Sequence, residues 1–193
     1  MKKILILLTF AAMFCFGQDI QRLEKECNDG NYTSCAKVAR LYFYGDDKID
    51  VEYDFEKALE YGKMACDNNE FEFNSCRVVG ELYFTGWSLE KEDYKKALDY
   101  LTKSCKNNEY QSCGAVGYIY LEGLEIEQDY SKAFVYYKKG CGGKHPLSCY
   151  HLGSLYYDGQ GVVQDILQAK EYYKKACDLS YQEGCKRYNE LNK

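Results

Sequence analysis

The chain has 193 residues, with 25 lysines and arginines against 30 aspartates and glutamates, for a formal net charge of −5. An acidic surface repels phosphate backbones, so nucleic acid is excluded as a partner. Beyond the first seventeen residues no apolar stretch is long enough to span a bilayer, so no membrane span is expected.

In chain order, Lys2 and Lys3 open the sequence, Ile4 to Phe16 is almost wholly apolar, and Gly17 is small. That layout predicts a cleavable secretory signal over residues 1–17, with Gln18 as the mature start. The alternative is a lipoprotein acylated at Cys15 within Ala12-Met13-Phe14-Cys15, against which the bulky Phe14 argues. Cleavage removes two lysines and no acid, so the charge moves from −5 to −7 and 176 residues remain, the size of one domain or one repeat array. The expected location is secreted or periplasmic. In such an oxidising compartment the ten remaining cysteines read as a disulfide framework rather than as metal ligands.

Those cysteines fall into five pairs: Cys27 with Cys35, Cys66 with Cys76, Cys105 with Cys113, Cys141 with Cys149, and Cys177 with Cys185. From Cys35 the second members recur at 41, 37, 36 and 36 residues, a period that signals stacked helical repeats. Each second cysteine opens a similar segment: CAKVARLYFYG, CRVVGELYFTG, CGAVGYIYLEG and CYHLGSLYYDG. Counting from the cysteine, an aliphatic residue stands at three (Val38, Val79, Val116, Leu152), a small one at four (Ala39, Gly80, Gly117, Gly153) and tyrosine at seven (Tyr42, Tyr83, Tyr120, Tyr156). These share one face of a 3.6-residue helix. The small residue is expected to let two helix backbones approach, and the glycine at ten to end the helix.

A second helix is predicted to begin near Asp54, Asp93, Asp129 and Asp165, each suited to cap a helix start. Alanine follows four residues on, tyrosine three later, and the helix ends near the first cysteine of the next pair. The predicted organisation is an N-terminal capping helix (18–30), repeats over 31–68, 69–107, 108–144 and 145–180, and a C-terminal capping helix (181–193). The segments between paired cysteines are rich in turn formers, so each pair should bridge a tight helix-to-helix turn. Loop-closure entropy then gives roughly 2.5 kcal/mol per bridge.

The last repeat carries the clearest family likeness: Leu152-Gly153, Leu155-Tyr156, Gly159-Gln160-Gly161-Val162, Asp165, Ala169, Tyr172-Tyr173 and Lys174-Lys175-Ala176. These residues resemble the Sel-one-like repeat family, relatives of the tetratricopeptide repeats. The resemblance covers about residues 27–190 and implies an all-α, α/α superhelical solenoid of four helix-turn-helix repeats. Cysteine at both conserved alanine positions is similar to the secreted cysteine-rich branch first described in Helicobacter. That branch implies a β-lactamase-like activity, weak β-lactam binding or hydrolysis. The departures are the long first connector and Gly62 and Leu101, where the family often has a second tyrosine.

The residues themselves offer little catalytic chemistry. Ser34-Cys35-Ala36-Lys37 matches a Ser-x-x-Lys element, which makes Ser34 and Lys37 candidates for nucleophile and activating base. Ser75, Ser112 and Ser148 occupy the same repeat position without the lysine, however, so a helix-starting role is the simpler reading. His145 and His151 are the two histidines and are expected at the surface; no metal site and no cofactor is expected. Lys138-Lys139 and Lys174-Lys175 read as solvated faces, and packing accounts for about two-thirds of the tyrosines. Positions one and five after the repeat cysteine should face the concave wall of such a solenoid. They hold Ala36 and Arg40, Arg77 and Glu81, Gly114 and Tyr118, Tyr150 and Ser154, varying where the core does not. Two functions follow. The first is a secreted scaffold, monomeric, binding an extended peptide, a protein or a peptidoglycan (cell-wall) fragment in its groove. The second is the β-lactam hydrolase implied by resemblance alone.

Overall fold

The computed structural model describes residues 19–46, 51–68 and 73–193. The expected signal segment, its cleavage point and Cys15 lie outside them. Among the described residues there are ten α-helices and no strand, apart from one isolated antiparallel bridge between Asp46 and Val51. They are α1 (residues 19–28), α2 (Tyr32–Tyr44), α3 (Phe55–Asn68), α4 (Phe73–Thr85), α5 (Tyr94–Lys106), α6 (Tyr110–Glu122), α7 (Tyr130–Gly142), α8 (Pro146–Asp158), α9 (Ile166–Asp178) and α10 (Gln182–Glu190). The chain forms two compact units, one ending at Glu92 and the other running from Asp93 to Lys193.

The aspartates set the starts of the second helices. Asp93 Oδ1 accepts from the Lys96 amide at 2.9 Å and Asp129 Oδ1 from Lys132 at 2.9 Å. Asp54 does the same for Lys57, and Asp165 for both Leu167 and Gln168. Each satisfies amides that the first helical turn leaves without a partner. The first helices of the second unit stop at Gly123 (φ 68°) and Gly159 (φ 69°), in the left-handed region where a side chain is strained.

Stacked tyrosines tie the two helices of a repeat together. Tyr42 lies over Tyr61, Tyr120 over Tyr136 and Tyr156 over Tyr172, with ring centroids 6.4, 5.8 and 5.5 Å apart. Deeper in the second unit, Tyr137 and Tyr173 are almost completely buried. A Cβ on Gly117 or Gly153 would stand 2.9 Å from their ring carbons. The small position therefore admits an aromatic ring, and at Gly153 the backbone carbonyl of Ala169 also comes within 3.1 Å of an added Cβ, so the expected close backbone approach is joined by a ring. In the first unit the counterpart of those tyrosines is Gly62, where an added Cβ would meet Val79 Cγ2 at 2.8 Å.

Five disulfides join Cys27–Cys35, Cys66–Cys76, Cys105–Cys113, Cys141–Cys149 and Cys177–Cys185, with Cα separations between 4.4 and 4.9 Å. Each links the end of one helix to the start of the next, clamping α1 to α2, α3 to α4, α5 to α6, α7 to α8 and α9 to α10. The serine before each of four second cysteines does not start its helix. Ser34, Ser75, Ser112 and Ser148 are the third helical residues and are buried. Three of their side chains meet the preceding helix or turn: Ser34 Oγ donates to Glu26, Ser112 Oγ to Ser104, and Ser148 Oγ lies 2.7 Å from His145 Nδ1, while Ser75 Oγ is buried without a hydrogen-bond partner. The amide left open at the start of α2 is capped instead by Asn31, whose Oδ1 accepts from Ser34 N.

Candidate functional site

In the first unit, α2 and α4 flank an open cavity of about 430 Å³. Ala36, Lys37 and Arg40 line it from α2, and Asn74 and Arg77 from α4. Positions one, two and five of repeat 1 thus meet position one of repeat 2. Lys37 and Arg40 are exposed, whereas Arg77 is held. Its guanidinium donates to Glu81 Oε1 at 2.6 Å and to the Tyr44 hydroxyl, and lies 5.9 Å over the Tyr44 ring. Burial opposes its charge, but the Tyr44 hydrogen bond and the Glu81 carboxylate outweigh that and hold its pKa above the ordinary arginine value. The cavity is therefore lined by two mobile-length cationic side chains and one pre-oriented one, a donor set suited to carboxylates.

In the second unit the same helix face is aromatic. Tyr118, 38% exposed, and Tyr150 approach His151 with ring centroids 6.5 and 5.4 Å away. Ser154 Oγ and the Tyr173 hydroxyl share a hydrogen bond of 3.1 Å. In the preceding repeat Tyr118 stands at the position of Ser154, and the buried Tyr137 hydroxyl has no hydrogen-bond partner. The six groove candidates thus divide. Arg40 and Arg77 share a cavity, and Glu81 serves as the ion-pair partner of Arg77. Tyr118 and Tyr150 gather around His151, while Ser154 packs against Tyr173.

Both histidines are half-buried rather than freely exposed. His151 stacks on Tyr137 with centroids 4.9 Å apart and planes 18° apart. Burial, with a smaller contribution from His145, pushes its pKa down to about 4. His145 is half-buried, its Nδ1 lies 2.7 Å from Ser148 Oγ, and burial lowers its pKa too. The turn-former segment around His145 hid its partial burial, because the side chain of a turn residue can still point inward. Of the lysine pairs, Lys138, Lys174 and Lys175 are exposed, while Lys139 is half-buried and donates to the Lys106 carbonyl.

The serine and lysine of the Ser-x-x-Lys match sit in different settings. Ser34 is 2% exposed and its hydroxyl is engaged by Glu26 at 2.7 Å, whereas Lys37 reaches the open cavity. A serine that donates its proton to a carboxylate inside the helix junction is not presented to a substrate. Among the described residues no group of three His, Cys, Asp or Glu side chains is placed to hold a metal, and no helix is long and apolar enough to cross a membrane. Sequence reasoning missed one feature of the first unit altogether: exposed Trp87 and Tyr53, whose signal was that they break the repeat pattern.

Comparison with known proteins agrees with this architecture. The Sel1 repeat family matches residues 33–70, 74–109, 111–145 and 146–181. Cysteine-rich protein B of Helicobacter pylori is 32% identical, over 73% of this chain and 96% of that one, with a TM-score of 0.53. A protective antigen of uropathogenic Escherichia coli displaying an SLR fold gives a TM-score of 0.75 at 20% identity, over 86% of this chain and 34% of its own. A Sel1 repeat protein from Oxalobacter formigenes gives 0.72 at 20%, over 89% and 48%. The chain thus spans about a third and about half the lengths of these last two. Among curated proteins none matches.

Proposed function

Because the chain belongs to the Sel1 repeat family, we propose that it is an exported interaction scaffold, acting as a monomer that binds an extended polypeptide bearing carboxylates. The observation that carries this reading is the cavity between α2 and α4, where Lys37 and Arg40 reach an open depression beside the fixed guanidinium of Arg77. Repeat proteins bind by varying surface residues on a constant scaffold, and these positions vary in charge and size between repeats. Export is supported by five disulfides, which persist in oxidising compartments, and by the signal-like residues 1–17.

The test is fluorescence anisotropy of the oxidised protein with a fluorescein-labelled peptide of alternating glutamate and serine, against its glutamine counterpart. Binding should favour glutamate, fall with added salt, and weaken by about tenfold in Arg40→Glu, since an exposed attractive charge becomes repulsive. Equal affinity for the two peptides, or no effect of Arg40→Glu, would overturn the reading. Replacing the probe with a peptidoglycan stem peptide distinguishes a cell-wall ligand from a protein one.

A further inference from the structure

A second surface of the first unit is built on connector residues Tyr53 and Trp87 and adjoins the Arg77 ion pair through Tyr44 and Glu81. Its centre is Trp87, the chain's single tryptophan, 60% exposed. Trp87 packs on Phe55 at 5.1 Å and on Phe43 at 6.4 Å between ring centroids, and Tyr53, 68% exposed, leans on Phe55 at 6.2 Å. Phe43 is buried in the core and Phe55 packs against it, whereas Tyr53 and Trp87 lie in the connectors, and exposed aromatic surface of that kind marks a place where something binds.

The wall formed by Tyr53, Phe55 and Trp87 separates two depressions of similar size. On one side, about 500 Å³ is bounded almost entirely by apolar atoms, with Phe43 and Tyr44 behind the wall. On the other, about 520 Å³ is bounded by the same three rings together with Asp54, Glu56 and Glu90. Glu56 and Glu90 are exposed, and no basic side chain is among the described residues lining either depression. The acidic side also contains Ser88, whose buried hydroxyl has no hydrogen-bond partner. Aromatic faces flanked by carboxylates attract a cation, and a cation held over tryptophan gains more than one over any other ring. An extended chain places side chains i and i+2 on one face about 6.7 Å apart, so two such side chains can straddle a wall of aromatic rings.

From this juxtaposition we infer a docking site for an extended polypeptide presenting a large apolar side chain and, two residues on, an arginine or lysine. The apolar side chain fills the depression beside Phe43 and Tyr44. The cation lies against Trp87 and Tyr53 with Glu56 and Glu90 as counter-charges. The chemistry is opposite in sign to that of the Arg40 cavity, so the two surfaces select different sequences.

Trp87 makes the site self-reporting. Oxidised full-length protein is titrated with the peptide Ac-Ser-Leu-Ser-Arg-Ser-NH2 while tryptophan emission is followed, and then with the same peptide carrying glutamate in place of arginine, or serine in place of leucine. The emission change should saturate with the first peptide and require about tenfold more of either counterpart, in line with the loss of one cation–π contact or one buried aliphatic group. Glu56→Lys combined with Glu90→Lys, both exposed and outside the core, should remove the response, while Arg40→Glu should leave it unchanged. Tyr53→Ala should raise the half-saturation point without unfolding the protein. A response that does not saturate, that is equal for the glutamate peptide, or that survives the double charge reversal overturns the proposal. So does an emission change that tracks protein concentration alone with dimer formation in sedimentation, which would make a second copy the occupant. Loss of glutamate-peptide binding in Arg40→Glu bears only on the other surface, so the two readings fail separately.

Discussion

The two units solve the same packing problem with different regularity. In the second unit the repeats are near-copies down to single hydrogen bonds: Gln128 Nε2 donates to the Leu121 carbonyl at 2.6 Å and Gln164 Nε2 to Tyr157 at 2.7 Å. The Asp129 and Asp165 amides return to Tyr120 and Tyr156 at 2.9 Å each, and Tyr137 and Tyr173 fill matched spaces opposite glycine. In the first unit the connector after α2 is longer and closes through the Asp46–Val51 bridge, and Gly62 stands where the large tyrosine would be. There Lys37, Arg40, Tyr53 and Trp87 are left exposed. Where the repeat is strict, Tyr137 and Tyr173 turn inward; where it is broken, Tyr53 and Trp87 stay outside. On the function proposed above, the broken half is the part that meets a partner.

Perturbing the matched tyrosines should have the largest effect on that contrast. Tyr137→Ala removes a completely buried ring and should cost about 4 kcal/mol in urea unfolding, with little change in Trp87 emission of the native state. Acid should distinguish the units next. Both histidines lie in the second unit, and His151 is depressed from 6.5 to about 4. Above pH 6.5 it is neutral in both folded and unfolded chains and contributes nothing. As pH falls from 6.5 toward 4 the unfolded chain takes up a proton that the folded one refuses, so stability is lost, by about 3 kcal/mol at the limit. Hydrogen exchange in α8 should therefore accelerate across that window before α2 responds, and His151→Gln should flatten the profile.

Replacing Cys141 and Cys149 together with alanine should lower the unfolding free energy by about 2.5 kcal/mol, the loop-closure value for a span of this length. The smallest expected effect is the most diagnostic. Tyr137→Phe deletes a buried hydroxyl that lacks a partner and should be neutral or slightly stabilising, whereas Tyr173→Phe deletes one bonded to Ser154 and should cost about 1 kcal/mol. Equal costs in thermal unfolding would mean that the two tyrosines are equivalent after all.

Much of the fold was legible because its signals are local and repeated. Asp54, Asp93, Asp129 and Asp165 mark the second-helix starts to the residue, since a cap acts on amides only two or three positions away. Gly123 and Gly159 mark helix ends for the same reason. What periodicity could not show was the identity of the opposite group. The glycine at position four proved to be a socket for a ring as well as a place of close backbone approach, and Ser34 looked like a helix start and proved to be an inward donor to Glu26. The half-burial of His151 was not legible because nothing in its sequence neighbours reveals the Tyr137 ring it stacks on. At the candidate surfaces, Arg40 and Arg77 were found by repeat position. Trp87 and Tyr53 were not, because they sit in connectors that follow no period.

The disulfides are separated by only eight or ten residues of sequence, and no bridge crosses from one repeat to a distant one. Each can close as soon as its own two helices exist, independently of whatever chain comes later. Oxidation can then proceed in order from one end to the other, with the nearest thiol always the correct one, and shuffling of mispaired intermediates is avoided. A duplication of about 36 residues in register would add one complete bridge and leave the others intact. The array can grow or shrink by whole units without rewiring.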